Sequence, residues 1–201
     1  MSERFLGIDT SNYTTSAALV EPGMVLENRK KLLPVKPGEK GLRQSDAVFH
    51  HVRQLPEVLS PVLEVLTEPP KAIGVSLYPT TEKDSYMPCF LVGKNIAQLL
   101  GKAWNIPVEG FSHQQGHIAA ALYSAGKLDL LENPFLAFHV SGGTTEALFV
   151  KPDMDGMPQV TPAARSLDLK AGQAVDRVGV MQGLSFPCGP ELEKLALRWE
   201  G

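Results

Sequence analysis

Cysteine is scarce in this sequence, with only Cys89 and Cys188 among 201 residues. Two such distant thiols make neither a disulfide framework nor a CxxC metal pair. Aromatic residues are few, at 7%, and neither sign of charge dominates: the formal net charge is −3. That balance excludes a general attraction to nucleic acid or anionic lipid, so any RNA contact requires a local basic patch. No apolar run approaches the ~20 residues that cross a bilayer. The first residues, MSERFLGIDTS, enter a strand-like run without an apolar signal segment,. A cytoplasmic protein with no membrane contact is therefore the expectation. What remains is ordinary composition, 43% hydrophobic and 20% charged, in a chain long enough for one large domain or two small lobes,.

Local patterning gives an alternating order of elements. FLGIDTS (5–11) is a short apolar strand, TTSAALV (14–20) its hairpin partner, and MVLENRKKLLPV (24–35) a third strand. Proline and glycine make KPGEKGLRQ a loop. Residues 45–66 have helical periodicity, and Pro56 and Pro61 are expected to kink or split that helix,. KAIGVSLYP (71–79) is a buried strand, residues 89–105 an amphipathic helix, IPVEGFS (106–112) another strand, and a helix follows. The order β-β-β-α-β-α-β-α predicts an α/β fold, a mixed sheet with helices packed on it.

The chain then repeats itself. FLGIDTSNYTTSAALV (5–20) aligns without a gap on FLAFHVSGGTTEALFV (135–150), at an offset of 130. Phe5, Leu6, Ser11, Thr14, Thr15, Ala17 and Val20 recur as Phe135, Leu136, Ser141, Thr144, Thr145, Ala147 and Val150. The duplication predicts two lobes, residues 1–132 and 133–201, each opening on the same strand–turn–strand unit. Two such hairpins facing a cleft would form a nucleotide site, their turns offering N–H groups and hydroxyls to phosphates. Duplicated lobes of this kind are the plan of the actin, Hsp70 and sugar-kinase (ASKHA) superfamily. The second lobe holds three strands and two helices, and is expected to be incomplete.

Two histidines stand out. His113 and His117 are four apart in SHQQGHIAAAL (112–122), so a helix places them one turn above each other,. Two imidazoles so placed can share one divalent ion. Ser112 suits the helix N-cap, which sets both rings near a strand end, where α/β sites lie. The zinc-peptidase pattern H-E-x-x-H is not met, because Gln114 occupies the place of the general base,. Peptidase chemistry is therefore not expected. The twin glycines of VSGGTTE (140–146) suit either a tight hairpin turn or close approach to an anion. Asp9, Ser11 and Thr144 are candidate phosphate contacts. Asp176 and Gly189 suit contacts to a ribose and a base, or a plain ion pair and a chain turn. Residues 28–43, with six cations and one acid, form the one basic patch suited to RNA,. His50 and His51 read as surface or packing residues.

Together these stretches resemble a known family: the TsaD/Gcp threonylcarbamoyltransferases, also called glycoproteases of peptidase family M22. The resemblance is carried by LGIDTSNYTTSAAL, HHVRQLPEVL, LVGKNIAQLLGKAWNIPVEGFSHQQGHIAAAL, HVSGGTTEAL and AGQAVDRVGVMQGLSFPCGPELEKLA, and so by nearly the whole chain. It implies a two-lobed ASKHA fold and an iron or zinc ion held by His113 and His117. It implies an adenylate (threonylcarbamoyl-AMP or ATP) contacted by His139, Val140, Ser141, Gly142, Gly143, Asp176 and Gly189. It also implies transfer of the threonylcarbamoyl group to an adenosine of tRNA, and a protein partner of the same modification system or a homodimer.

Several positions depart from the family pattern. Tyr13 and Thr14 stand where T-S-C-D-E-T has its two acids. YPTTEKDSYMP (78–88) replaces a Gly-Pro-Gly loop, Thr144 replaces the histidine of S-G-G-H-T, and Gln173 replaces a glutamate. The family's asparagine nucleotide contact and aspartate metal ligand belong to a C-terminal region outside these 201 residues. A divergent paralog, C-terminally short, is therefore expected, and no catalytic residue is assigned. The alternative is a non-catalytic scaffold or partner subunit of the same system, which the lost acids favour and the retained histidine pair opposes. A small-molecule kinase on the same fold is a third reading, and only Asp9 speaks for it.

Overall fold

The computed structural model describes residues 3–35, 42–82, 84–154 and 156–199. The chain packs as two compact units, Met1–Ala121 and Leu122–Gly201. No helix among the described residues is long and apolar enough to cross a membrane. The middle of the basic stretch 28–43, residues 36–41, lies outside the described residues.

In the first unit, β1 (Phe5–Asp9), β2 (Thr14–Glu21) and β3 (Met24–Leu32) form an antiparallel meander. Strands β4 (Ala72–Tyr78) and β5 (Val108–Ser112) then add in parallel to β1, giving the order β3-β2-β1-β4-β5. Alternation along β1 and β2 sends Leu6, Ile8, Ala17 and Leu19 into the core. Two helices seal that face. α1 (Gln44–Glu64) contributes Leu55, Val58, Leu59 and Val62, a run at helical spacing, and α2 (Phe90–Trp104) contributes Val92 and Ala97,. Each such aliphatic side chain stabilises the fold by about 1.5–3 kcal/mol when fully buried. Pro56 and Pro61 do not split α1, which runs through both as one helix. The Ser60 hydroxyl donates to the Pro56 carbonyl at 2.8 Å.

Polar contacts lock the helices to the sheet. Thr10, just past β1, is fully buried; its hydroxyl donates to the Cys89 carbonyl at 2.9 Å and accepts the Gly93 N–H at 3.0 Å. His51 of α1 is also fully buried. Its Nδ1 lies 2.8 Å from the Thr15 hydroxyl, which donates to Gln54 Oε1 at 3.1 Å. His51 is thus a core packing residue. Its Nε2 has no hydrogen-bond partner among the described residues. Burial pushes its pKa below the ordinary 6.5, against the opposing pull of the Asn12 backbone and the Asp9 charge.

The second unit repeats the opening. β6 (Phe135–Val140) and β7 (Thr145–Pro152) pair antiparallel, with β8 (Pro158–Arg165) on the far side of β7. The hairpin register is the same as in the first unit: Phe5 faces Val20 and Phe135 faces Val150, while Asp9 faces Ser16 and His139 faces Glu146. Surroundings differ, however. Leu136 and Phe138, at the positions of Leu6 and Ile8, are 58% and 75% exposed, whereas their counterparts are buried. A 3-10 turn (Leu128–Glu132) precedes the hairpin, and α4 (Ala171–Met181) and α5 (Gly189–Ala196) follow β8.

Two outcomes test this packing. A Cβ on Gly101 would stand 2.3 Å from a Val108 methyl and 3.2 Å from the Ile106 carbonyl oxygen. Gly101→Ala is therefore expected to cost about 1–3 kcal/mol, read as a lower midpoint in thermal or urea unfolding. For His51, the unfolded chain binds a proton near pH 6.5 that the folded chain resists, so stability is full above that pH and falls as pH drops through it,. The melting temperature is expected to decline from about pH 7.5 to about pH 5.5, and His51→Gln to flatten that decline. Asp9, whose ordinary value is 3.8, contributes below this window.

Candidate metal centre and glycine turn

Parallel strands bring their carboxyl ends to one edge of a sheet, where α/β proteins bind ligands. In the first unit Ile8 pairs with Val75, which sets Asp9 beside Ser76. Ser76 pairs with Phe111, which sets the end of β4 beside Ser112 and the start of α3 (His113–Ser124). Three chain segments distant in sequence thus meet at Asp9, Ser76 and His113.

The start of α3 is closed by a reciprocal cap. The Ser112 hydroxyl accepts the Gln115 N–H at 3.1 Å, and Gln115 Oε1 accepts the Ser112 N–H at 2.7 Å. This is the S-x-x-Q capping box, so Ser112 is the N-cap that its position in the sequence suggested. The Gln114 N–H donates to the Pro79 carbonyl at 3.0 Å. With its first turn so tied, α3 presents His113 and His117 together, ring centroids 4.2 Å apart and planes at 69°. His113 is half-buried and His117 exposed.

Asp9 stands behind His113. Its Oδ1 accepts the Ser11 N–H at 2.7 Å, and its Oδ2 accepts the Ser76 hydroxyl. His113 Nδ1 lies 2.9 Å from Oδ2 and 2.9 Å from Ser11 Oγ. Burial alone would raise the Asp9 pKa. The hydrogen bond and charge of His113, with the donors of Ser11 and Ser76, outweigh it and hold the carboxyl well below the usual carboxylate range,. Among the described residues no group of three or more His, Cys, Asp or Glu is placed to hold an ion. The chain thus offers two imidazole nitrogens, a donor type that suits iron and zinc. Two such donors can serve as part of a metal's ligand set.

In the second unit the glycine turn is self-satisfied. Ser141 Oγ accepts the N–H groups of Gly143 and Thr144 at 3.2 and 3.0 Å, and the Ser141 N–H donates to the Thr144 carbonyl at 2.7 Å. A Cβ on Gly142 or Gly143 would meet nothing within 4 Å. His139 Nδ1 lies 3.3 Å from Glu146 Oε1, and Val140 is exposed. The turn abuts the start of α4: the Gly172 N–H donates to the Ser141 carbonyl at 3.2 Å and the Ala171 N–H to the Thr145 hydroxyl at 2.8 Å. Asp176, on α4, accepts the Cys188 N–H through Oδ1 at 2.9 Å, at the entry to α5, and Gly189 is the first residue of that helix. The structure therefore places Ser141, Gly142, Gly143 and Thr144 in one turn with His139 and Val140 at the end of the strand that leads into it, and joins Asp176 to the Gly189 end of α5.

Sequence spacing gives no hint of Ser76, or of the Asp9–His113 contact between residues 104 apart. The parallel placement of β4 beside β1 creates both. Gln115 was detectable, because it follows Ser112 at the capping-box interval. Gly172 escaped notice because its role is to let α4 approach a turn that lies 30 residues earlier in the sequence.

Known proteins place this architecture. By structure the chain is similar to YeaZ from Pseudomonas aeruginosa, with a TM-score of 0.51 and 16% identity over 86% of this chain and 68% of that one. A second Pseudomonas aeruginosa structure, described as similar to peptidase YEAZ, also gives 0.51, with 17% identity over 83% and 66%. With the register-matched hairpins, this is an α/β fold of the ASKHA type. The sequence narrows the class further. Residues 46–199 match the family described as TsaD: tRNA N6-adenosine threonylcarbamoyltransferase. The tRNA N6-adenosine threonylcarbamoyltransferase of Bacillus subtilis (strain 168) is 33% identical over 196 residues, 95% of this chain. The chain belongs to the TsaD family. It spans about half, 53%, of the length of that curated relative.

The turn–helix contact is open to test. A Cβ on Gly172 would lie 2.6 Å from the Gly142 nitrogen and 2.7 Å from the Ser141 carbonyl carbon, both backbone atoms, whereas one on Gly189 would meet nothing within 4 Å. Gly172→Ala is expected to cost about 1–3 kcal/mol and to speed amide exchange at Gly143 and Thr144, while Gly189→Ala stays within about 0.5 kcal/mol of the parent. Amide hydrogen exchange and urea unfolding read both.

Proposed function

We propose that this chain carries out threonylcarbamoyl transfer to adenosine of tRNA, with a divalent iron or zinc ion on His113 and His117. The observation that carries this reading is the pair of imidazoles one helical turn apart, capped by Ser112 and Gln115 and backed by Asp9, in a chain of the TsaD family. Bound there, the ion supplies Lewis acidity toward the threonylcarbamoyl carbonyl. His113 and His117, one turn apart on α3, would hold it. In the transfer, the adenosine N6 attacks the carbamoyl carbon, the bond from that carbon to the phosphate oxygen breaks, AMP leaves, and N6 gives up a proton.

On this reading the second unit contacts the adenylate. Gly142 and Gly143 leave open space at the turn, and Gly143 and Thr144 N–H groups now spent on Ser141 Oγ are of the kind that receive a phosphate oxygen,. His139 and Val140 flank that turn. Asp176 keeps Oδ2 for ribose hydroxyls while Oδ1 caps the entry to α5, and Gly189 leaves room there for the base. The likeness to relatives named for tRNA modification supports tRNA as acceptor; a protein partner of the same system or a second copy is proposed as companion. The alternative, a non-catalytic subunit, draws on Tyr13 and Thr14 standing where the family pattern has acids, and on there being only two ligands among the described residues.

Metal analysis of purified protein is expected to find about one ion per chain, lost in both His113→Ala and His117→Ala. With threonylcarbamoyl-adenylate, tRNA and the companion proteins supplied, wild type is expected to form the modified adenosine and both variants to lose at least about a hundredfold in rate. Protein without bound metal that also forms no product would overturn the transferase reading in favour of the scaffold.

A further inference from the structure

We infer that Asp9 is a positioning residue: it fixes His113 with its proton on Nδ1, and so leaves the lone pair on Nε2 as the metal-binding one. The metal half of this inference rests on the function proposed above, whereas the tautomer does not.

Hydrogen-bond accounting carries the argument. An ionised carboxylate only accepts. Three donors converge on this one: the Ser11 N–H on Oδ1, and the Ser76 hydroxyl and His113 Nδ1 on Oδ2. A 2.9 Å contact between Nδ1 and a carboxylate oxygen is a hydrogen bond only if Nδ1 carries the hydrogen,. Ser11 Oγ, also 2.9 Å from Nδ1, is a second acceptor for the same proton, and it lies farther, 3.5 Å, from Nε2. In a neutral imidazole with Nδ1 protonated, the lone pair resides on Nε2. The carboxylate is itself held by Ser11 and Ser76, so it presents Nδ1 with an acceptor in one place.

The same accounting gives Asp9 an orienting role in place of the phosphate contact expected from its position in the hairpin. Its charge repels a phosphate, and donors occupy both of its oxygens. What remains is the carboxylate–histidine–metal arrangement, in which the outer carboxylate aims the ring and raises its basicity.

Nitrogen-15 NMR of imidazole-labelled, metal-free protein at about pH 8 reads the tautomer directly, and Co²⁺ titration followed by its visible absorption reads affinity. In wild type His113 is expected as the Nδ1–H form. In Asp9→Ala that preference is expected to disappear and the Co²⁺ dissociation constant to rise about 10- to 100-fold. Ser76→Ala, which leaves Asp9 and His113 in place, is expected to keep the wild-type tautomer. An Nε2–H form of His113 in metal-free wild type overturns the inference whatever the variants do. So does a folded Asp9→Ala that keeps both the tautomer and the Co²⁺ affinity. Wild type that shows the Nδ1–H form but binds no Co²⁺ upholds the positioning by Asp9 and refutes the metal reading instead.

Discussion

A half-buried carboxylate at the end of the first strand organises the first unit. Asp9 accepts hydrogen bonds from its own turn, from the neighbouring parallel strand and from the first residue of the third helix. The Ser11 hydroxyl, 2.9 Å from His113 Nδ1, adds a second side-chain contact between the first strand's turn and that helix. Losing the carboxylate would leave the Ser11 N–H and the Ser76 hydroxyl without their acceptor, a penalty of about 1–3 kcal/mol each,. The same contact decides which nitrogen of His113 faces outward, so one side chain links the assembly of the sheet edge to the chemistry proposed there.

Beneath this site, the polar contacts of Thr10, Thr15, His51 and Gln54 fix α1 and α2 against β1 and β2. Buried polar groups of this kind are costly unless satisfied, so they specify one arrangement of helix on sheet. The Thr10 hydroxyl does both jobs available to it, donating to the Cys89 carbonyl and accepting from Gly93. Because Gly93 has no side chain, α2 can come that close.

Much of this was legible in the amino-acid sequence, and the reasons are local. The gapless match between residues 5–20 and 135–150 anticipated two hairpins of identical register, because register follows the side-chain alternation that the sequence displays,. The cap at Ser112 and the facing histidines follow from helical periodicity alone. Long-range pairing was not legible. Nothing near Asp9 announces His113 or Ser76, since only the parallel placement of β4 and β5 brings them together. His51 illustrates the opposite limit: a polar residue on an amphipathic helix reads equally as surface or packing, and the Thr15 hydroxyl beneath it decides the matter. Pro56 and Pro61 suggested a break that tertiary packing of Leu55, Val58, Leu59 and Val62 overrides.

X-ray absorption at the zinc edge of the zinc-loaded chain tests the central claim most directly. Two histidine imidazoles at about 2.0–2.1 Å, with only oxygen or nitrogen in the remaining positions, are what His113 and His117 on α3 require. A shell containing sulfur, or lacking paired imidazole scattering, would contradict a metal centre built on that helix.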